Sequence, residues 1–319
     1  MTESITAAVS ALHAAETIAA MGHIGPDGDA LGSMLAVAAG ARNAGKTAFA
    51  TFGEPFVVGR QFRFLDTSVL VPPSQIPDEL DLVVVVDTGV PQRLGSALPI
   101  AERAKKLIVV DHHLSQDPDF GDIKVVDISA GAAAEIVYHL LQAAGWPITS
   151  EIATALYTGI VTDTGRFQYS STSPAVHRIT AHLLEAGVSP PDVGQRVYEE
   201  APFGYLRVAG SVLTRTQLDP ERKIVWSILY REDLAAEKLR YEDADGLIDL
   251  IRLAEESDVA CLLREIGDDQ FKGSLRSRGR VDVSRIAAGF GGGGHHNAAG
   301  FIATGYPEKI MQSILDALP

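Results

Sequence analysis

A chain of 319 residues with 46% hydrophobic content and a mean hydropathy of +0.11 has enough apolar material for two packed domains. Its formal net charge of −14 and pI near 5.0 exclude an extended electrostatic grip on long DNA or RNA, which needs a basic surface, so a nucleic-acid partner has to be short. The single cysteine, Cys261, cannot close an internal disulfide, residues 1–22 carry no Lys or Arg to begin a signal peptide, and no stretch approaches the ~20 apolar residues of a membrane span; the chain reads as a soluble cytoplasmic protein with a buried thiol.

In chain order, residues 4–15 read as a helix and 18–21 as a strand. A turn follows, built on Gly25, Pro26 and Gly28, that packs His23, Asp27 and Asp29 into seven residues before an Ala/Leu-rich helix over 29–43 and a short strand over 47–52. Residues 81–87 form an apolar, β-branched run too short for a helix, as expected of a parallel strand buried on both faces, and end at Asp87. The pattern recurs at 107–111, another apolar strand, which ends in Asp111-His112-His113. Helices are expected over 132–144, 150–161 and 174–186, the second running into Asp163-Thr164-Gly165, with a further helix beginning at Ser189. After a junction between Gly187 and Arg207, strands (224–230, 259–266, 271–275) alternate with helices (243–254, 282–288, 307–318), a smaller α/β or α+β domain. Arg276, Arg278, Arg280 and Arg285 precede a loop of four glycines, Gly291 to Gly294, followed by His295.

Three strands therefore deliver carboxylates or imidazoles at their C-terminal ends, where open parallel sheets bind ligands. Taken singly, each Asp is ordinarily a cap or turn residue, and the glycines and arginines would pass for a flexible loop and a solvated face. Adjacent histidines after a buried strand have no such ordinary reason. If His23, Asp27, Asp29, Asp87, His112 and Asp163 converge, about four negative charges share one site, and like charges at contact distance need compensation. Two divalent cations supply it. An oxygen-rich set with imidazole suits Mn²⁺, Mg²⁺ or Fe²⁺ better than a structural zinc, and a pair of metals is the recurring arrangement for phosphoester hydrolysis, with Asp87 on the middle strand placed to bridge them.

The ordered set His23-x3-Asp27-x-Asp29, Asp87, Asp111-His112-His113 and Asp163-Thr164-Gly165 resembles the four motifs of the DHH phosphoesterases. Gly291 to His295, preceded by Ser274-Leu275-Arg276-Ser277, resembles the DHH-associated C-terminal domain of subfamily 1, so the resemblance spans roughly residues 15–305. By length and layout the chain looks most like the bacterial nano-RNases that also hydrolyse 3′-phosphoadenosine 5′-phosphate (pAp). The resemblance implies an α/β fold: a DHH domain over 1–190 with a mostly parallel sheet flanked by helices, a linker over 191–206, and a substrate-binding α/β domain over 207–319, with the active-site cleft between the domains. It implies His23, Asp27 and Asp87 on one metal and Asp29, Asp87, His112 and Asp163 on the other, manganese the usual activator, with magnesium, cobalt or iron as substitutes. Asp111 would orient an imidazole, and His113 would act on the scissile phosphate. Arg276, Arg278, His295 and the backbone of Gly293 and Gly294 would contact the rest of the nucleotide. Short RNA and nucleotides are the implied substrates, and a homodimer the implied assembly.

Other readings carry different signatures. A cyclic di-AMP phosphodiesterase would share the chemistry and differ in nucleotide contacts. An inorganic pyrophosphatase would not be expected to carry Gly291 to His295, and a RecJ-type exonuclease would be expected to have more domains and a basic channel. A nucleotide-binding sensor without turnover would have lost ligands, whereas all six metal-ligand candidates are present.

Overall fold

The computed structural model describes residues 2–244 and 246–319, which divide into two compact units, 1–200 and 201–319. The boundary falls inside the stretch 191–206 expected as a linker. That stretch carries helical turns at Pro190–Gly194 (α7) and Gln195–Glu199, because Pro190 and Pro191 preset the first turn. No helix among the described residues is long and apolar enough to cross a membrane.

In the first unit, helix α1 (Thr2–Ala14) precedes β1 (Thr17–Met21), α2 (Gly28–Asn43) and β2 (Thr47–Thr51). Then come β3 (Leu82–Val86), a short α3 (Leu98–Glu102), β4 (Leu107–Asp111) and β5 (Ile123–Val126). Helices α4 (Ala133–Ala143), α5 (Ser150–Asp163) and α6 (Pro174–Glu185) follow. The strands form a five-stranded parallel sheet in the order β2-β1-β3-β4-β5. Every residue of β3 and β4 is buried, as their unbroken apolar runs require. From β1 the chain crosses to β2 on one side and returns to β3 on the other, so the sheet has its switch point between β1 and β3, at the C-terminal ends that carry His23 and Asp87.

Helix α2 is buried on nearly all sides, with one large core packed around it. It lies close against α5 because small residues meet there. A Cβ on Gly32 would sit 2.2 Å from the Ala155 carbonyl oxygen, and one on Gly28 would sit 2.4 Å from Thr162 Oγ1. The first turn of α2 is thereby brought beside the last turn of α5, which is what puts Asp29 near Asp163.

The second unit contains α8 (Phe203–Thr214), β6 (Gln217–Asp219), β7 (Ile224–Leu229), α9 (Arg231–Ala236), α10 (Leu247–Ile251), β8 (Val259–Gly267) and β9 (Gln270–Ser277). It ends with α11 (Val283–Ala288), β10 (Gly293–His295), β11 (Ala298–Thr304) and α12 (Pro307–Ala317). Its six-stranded mixed sheet runs β10-β11-β9-β8-β7-β6, parallel only between β7 and β8. Each face packs its own apolar cluster, α11 and α12 on one and α8 and α10 on the other. Cys261 is fully buried in β8, and burial pushes its thiol up to about 12. The glycine run expected as a loop is in part an edge strand: Gly293 to His295 pair with Gly300 to Ala298 of β11. Glycine is required there for contact, since a Cβ on Gly292 would meet the Gly300 carbonyl oxygen at 2.2 Å.

Candidate metal centre

The site grows from the end of β1. His23 is buried, and its Nδ1–H donates to the Ile24 carbonyl at 3.0 Å. A carbonyl can only accept, so Nε2 is the unprotonated nitrogen of the neutral ring, and it lies 3.9 Å from Asp27 Oδ2 and 3.5 Å from Asp87 Oδ2. Asp27 divides its work between its oxygens. Oδ1 caps α2 by accepting from the N–H groups of Asp29 and Ala30, both at 3.1 Å, while Oδ2 faces His23.

Asp87 ends β3 with φ +59, a left-handed conformation that Asp tolerates better than most residues, and its N–H still donates to the Val110 carbonyl at 2.9 Å. Its carboxylate is the junction of the site, with Oδ1 3.4 Å from His112 Nε2. His112 repeats the anchoring of His23. Its Nδ1–H donates to the Ala130 carbonyl at 3.2 Å, and Nε2 lies 3.7 Å from Asp29 Oδ2 and 3.3 Å from Asp163 Oδ2. Asp163 closes α5, where the partial negative charge of the helix terminus disfavours a carboxylate, so its placement serves something other than the helix.

Ligand-type atoms of His23, Asp27 and Asp87 lie within 4.8 Å of one another, as do those of Asp29, Asp87 and His112, with Asp87 common to both groups. The buried Nε2 of His23 and Oδ1 of Asp87 have no hydrogen-bond partner among the described residues. Buried acceptors that converge without donors are relieved by a cation, and the nitrogen–oxygen donor set fits a manganese-like ion. The electrostatics agree. Burial alone would lower the His23 imidazole, yet the carboxylates of Asp27 and Asp87 beside it raise it from 6.5 to about 10. His112 is likewise raised against its burial, to about 11, by Asp87 and the charges of Asp163 and Asp29. Burial, with neighbouring carboxylates added, raises Asp29 and Asp163, whereas Asp87 is lowered despite burial because the imidazoles of His112 and His23 lie against it. Without metal, protons on the imidazoles hold the cluster together.

Asp111 is fully buried and its carboxylate is saturated. Oδ1 accepts from the N–H groups of His112 at 2.8 Å and His113 at 3.2 Å, and from His113 Nδ1–H at 2.8 Å. The imidazole that Asp111 orients is thus that of His113. Gln116, which sequence reasoning missed, donates from Nε2 to Asp111 Oδ2 at 2.5 Å and to the His113 carbonyl at 3.0 Å. A glutamine in a loop carries no local signal for that role.

In the second unit, register puts Arg276 of β9 opposite Ala298 of β11, and Ala298 opposite His295 of β10. Directly opposed residues share a face, so Arg276 and His295 flank a notch left by the Ala298 methyl, with Gly293 and Gly294 exposed beside it on the sheet edge. Arg278 is otherwise engaged. Its guanidinium donates to the carbonyls of Arg252, Ala254 and Glu255 at 3.0 to 3.2 Å, tying down the chain after α10. Arg280 pairs with Asp258 and Arg285 with Asp282, which disperses the basic cluster read from sequence into local ion pairs.

The DHH family N-terminal domain matches residues 17–160 and the DHHA1 domain matches residues 227–318. The bifunctional oligoribonuclease and PAP phosphatase NrnA of Thermus thermophilus is 35% identical over 303 residues, covering 93% of this chain and 88% of its own. The protein of the same description from Bacillus subtilis is 27% identical, covering 89% of this chain and 88% of its own. Among solved structures, an exopolyphosphatase-related protein from Bacteroides fragilis superposes with a TM-score of 0.90 at 26% identity, over 100% of this chain and 96% of that one.

Proposed function

This chain belongs to the DHH family, and on that premise we propose that it is a manganese-dependent phosphoesterase that hydrolyses short oligoribonucleotides, pApA included, to mononucleotides and pAp to AMP. The observation that carries the reading is Asp87, whose carboxylate serves two ligand groups at once and whose buried Oδ1 lacks a donor. The names of the Thermus and Bacillus relatives support the substrate class. His23, Asp27 and Asp87 would hold one ion and Asp29, Asp87, His112 and Asp163 the other. When bound, the two ions would offset the carboxylate charge, polarise the phosphoryl group and acidify water.

The chain's own residues divide the remaining work. Asp111 keeps the proton of His113 on Nδ1, so Nε2 is the nitrogen that takes a proton from water and passes it to the leaving oxygen. Gln116 and two backbone N–H groups hold the Asp111 carboxylate aimed. Residues 1–190 would carry the chemistry and residues 207–319 the nucleotide, with Arg276, His295 and the backbone N–H groups of Gly293 and Gly294 contacting its sugar or its other phosphate. Arg278 is the weakest member of that set, since its donors are already used. A homodimer is the assembly the family resemblance favours, and sedimentation velocity tests it.

The functional test is product formation by metal-stripped protein with Mn²⁺ restored, offered pAp, pApA, cyclic di-AMP, a five-nucleotide RNA and a 24-nucleotide RNA. AMP release from the short substrates, with the longest spared, is expected. Equal cleavage of cyclic di-AMP would move second-messenger turnover ahead, and nucleotide binding without turnover would point to a sensor.

A further inference from the structure

Short oligonucleotides bring phosphates besides the one being cut, and the metal-ligand set of the first unit leaves those without a partner. Four of the eight arginines in that unit are committed elsewhere: Arg42 to the carbonyls of Ala48 and Ser68, Arg63 to Val58, Arg103 to Pro77 and Asp78, and Arg196 to Glu200. Of the other four, Arg166 and Arg93 sit on segments beside proposed ligands, Arg166 just after Asp163 and Arg93 bonded through its backbone to the neighbour of His23. Both are exposed, and neither guanidinium makes a hydrogen bond or ion pair with any described residue.

Arg166 lies three residues beyond Asp163, on a backbone that side chains rarely adopt: Gly165, Arg166 and Phe167 have φ +56, +61 and +63. The turn is locked from several directions. A Cβ on Gly165 would meet the Tyr169 ring at 2.4 Å, the Phe167 ring lies 5.3 Å from that of His177, and the N–H groups of Gln168 and Tyr169 both donate to the Thr164 carbonyl at 3.0 Å. The Arg166 guanidinium lies 3.9 Å from the centroid of the Tyr198 ring, whose hydroxyl donates to the Val161 carbonyl at 3.2 Å, so the platform is tied to the same helical end that delivers Asp163. A guanidinium stacked on an aromatic face keeps its N–H edges available for an oxyanion. Backbone strain held in place next to a ligand cluster is the kind of outlier that marks function.

Arg93 stands at the other end of the cluster. Its carbonyl accepts from the N–H of Ile24, the neighbour of His23, at 2.9 Å, which fixes this segment against the end of β1 that delivers His23.

We propose that Arg166 and Arg93 bind the phosphates that flank the scissile one, so that the first unit itself discriminates phosphorylated from unphosphorylated substrate ends. This assignment rests on the phosphoesterase reading above. The test compares pApA with ApA, which lacks the flanking phosphate, using Arg166→Gly, Arg166→Lys and Arg93→Ala. Glycine adopts the positive φ freely, so Arg166→Gly keeps the turn while removing the guanidinium. The ratio of kcat/KM for pApA over ApA is expected to fall about tenfold in Arg166→Gly and Arg93→Ala, the worth of one charge-assisted hydrogen bond, with partial recovery in Arg166→Lys. An unchanged ratio, with both substrates affected equally or neither affected, would overturn the assignment. If the wild-type protein turned over neither substrate, the phosphoesterase reading would fall by itself, and the same ratio would be read from calorimetric affinities of the Mn²⁺-loaded proteins for pApA and ApA.

Discussion

Asp29 Oδ2 accepts the N–H of Ala133 at 2.6 Å, and its Oδ1 accepts the N–H of Ala134 at 2.9 Å and the hydroxyl of Ser33 at 3.2 Å. A side chain in the first turn of α2 thus caps α4, whose own N-cap, Ala132, has no side-chain acceptor. Asp29→Ala should therefore lower the stability of the EDTA-treated protein by about 1–3 kcal/mol, because two buried N–H groups lose their acceptor. Asp163→Ala removes a proposed ligand that caps nothing and whose ionised form the metal-free cluster disfavours, so it should not lower that stability. Urea denaturation of both metal-free variants checks the contrast, and equal losses would remove the capping role.

His113 touches Asp111 through Nδ1 but belongs to neither proposed ligand set. His113→Ala should keep the full complement of Mn²⁺ while kcat falls by about 100-fold or more, the usual worth of a positioned proton donor. Asp111→Asn should act through the same ring. An amide can offer His113 Nδ1 the wrong partner and shift the ring tautomer, so kcat should drop with metal content retained. Metal analysis alongside steady-state kinetics separates this from ligand loss; depleted metal in His113→Ala would place that residue among the ligands.

How much of this was legible depends on what each residue answers to. Strands β1, β3 and β4 are buried on both faces, and their apolar runs say so. Strand β5 is four residues long and includes Lys124, and β10 and the first half of β11 are mostly glycine and alanine, so propensity announces them weakly; pairing with β4, β11 and β9 respectively makes them strands. Helix α8 was missed because its exposed side also carries Phe203, Leu206 and Leu213, which blurs the polar and apolar faces. Residue type and order along the chain were enough to pick histidines and aspartates that the structure brings together. The capping by Asp29, the hold of Gln116 on Asp111 and the engagement of Arg278 by carbonyls depend on contacts between distant segments, and local pattern is silent about those.

Gly293 and Gly294 separate substrate contact from folding. A Cβ on Gly294, which has φ +142, would sit 2.5 Å from the Ala298 carbonyl oxygen, so Gly294→Ala should damage the edge strand itself. Nothing lies within 4 Å of a Cβ on Gly293, and its φ is ordinary. Gly293→Ala should melt within a few degrees of wild type and yet raise KM for pAp, if the nucleotide approaches the backbone there. An unchanged KM would move the nucleotide away from this strand.

Metal should matter to stability more as pH rises. His23 and His112 have folded pKa values near 10 and 11, above the ordinary 6.5 of an unfolded histidine, so the stability they contribute to the metal-free protein is fully present below about pH 6.5 and drains away as pH climbs toward 10. Asp29 and Asp163, also raised, act in the same direction from lower pH, while Asp87, lowered, loses its contribution only in strong acid. Mn²⁺ binding replaces those protons with metal charge, which does not titrate away over the same window. The increase in melting temperature on adding Mn²⁺ should accordingly grow between pH 6.5 and pH 9, and binding at neutral pH should release protons, visible as calorimetric enthalpies that change with the ionisation enthalpy of the buffer. A pH-independent increment with no proton release would mean that the cation binds somewhere other than between these imidazoles and carboxylates.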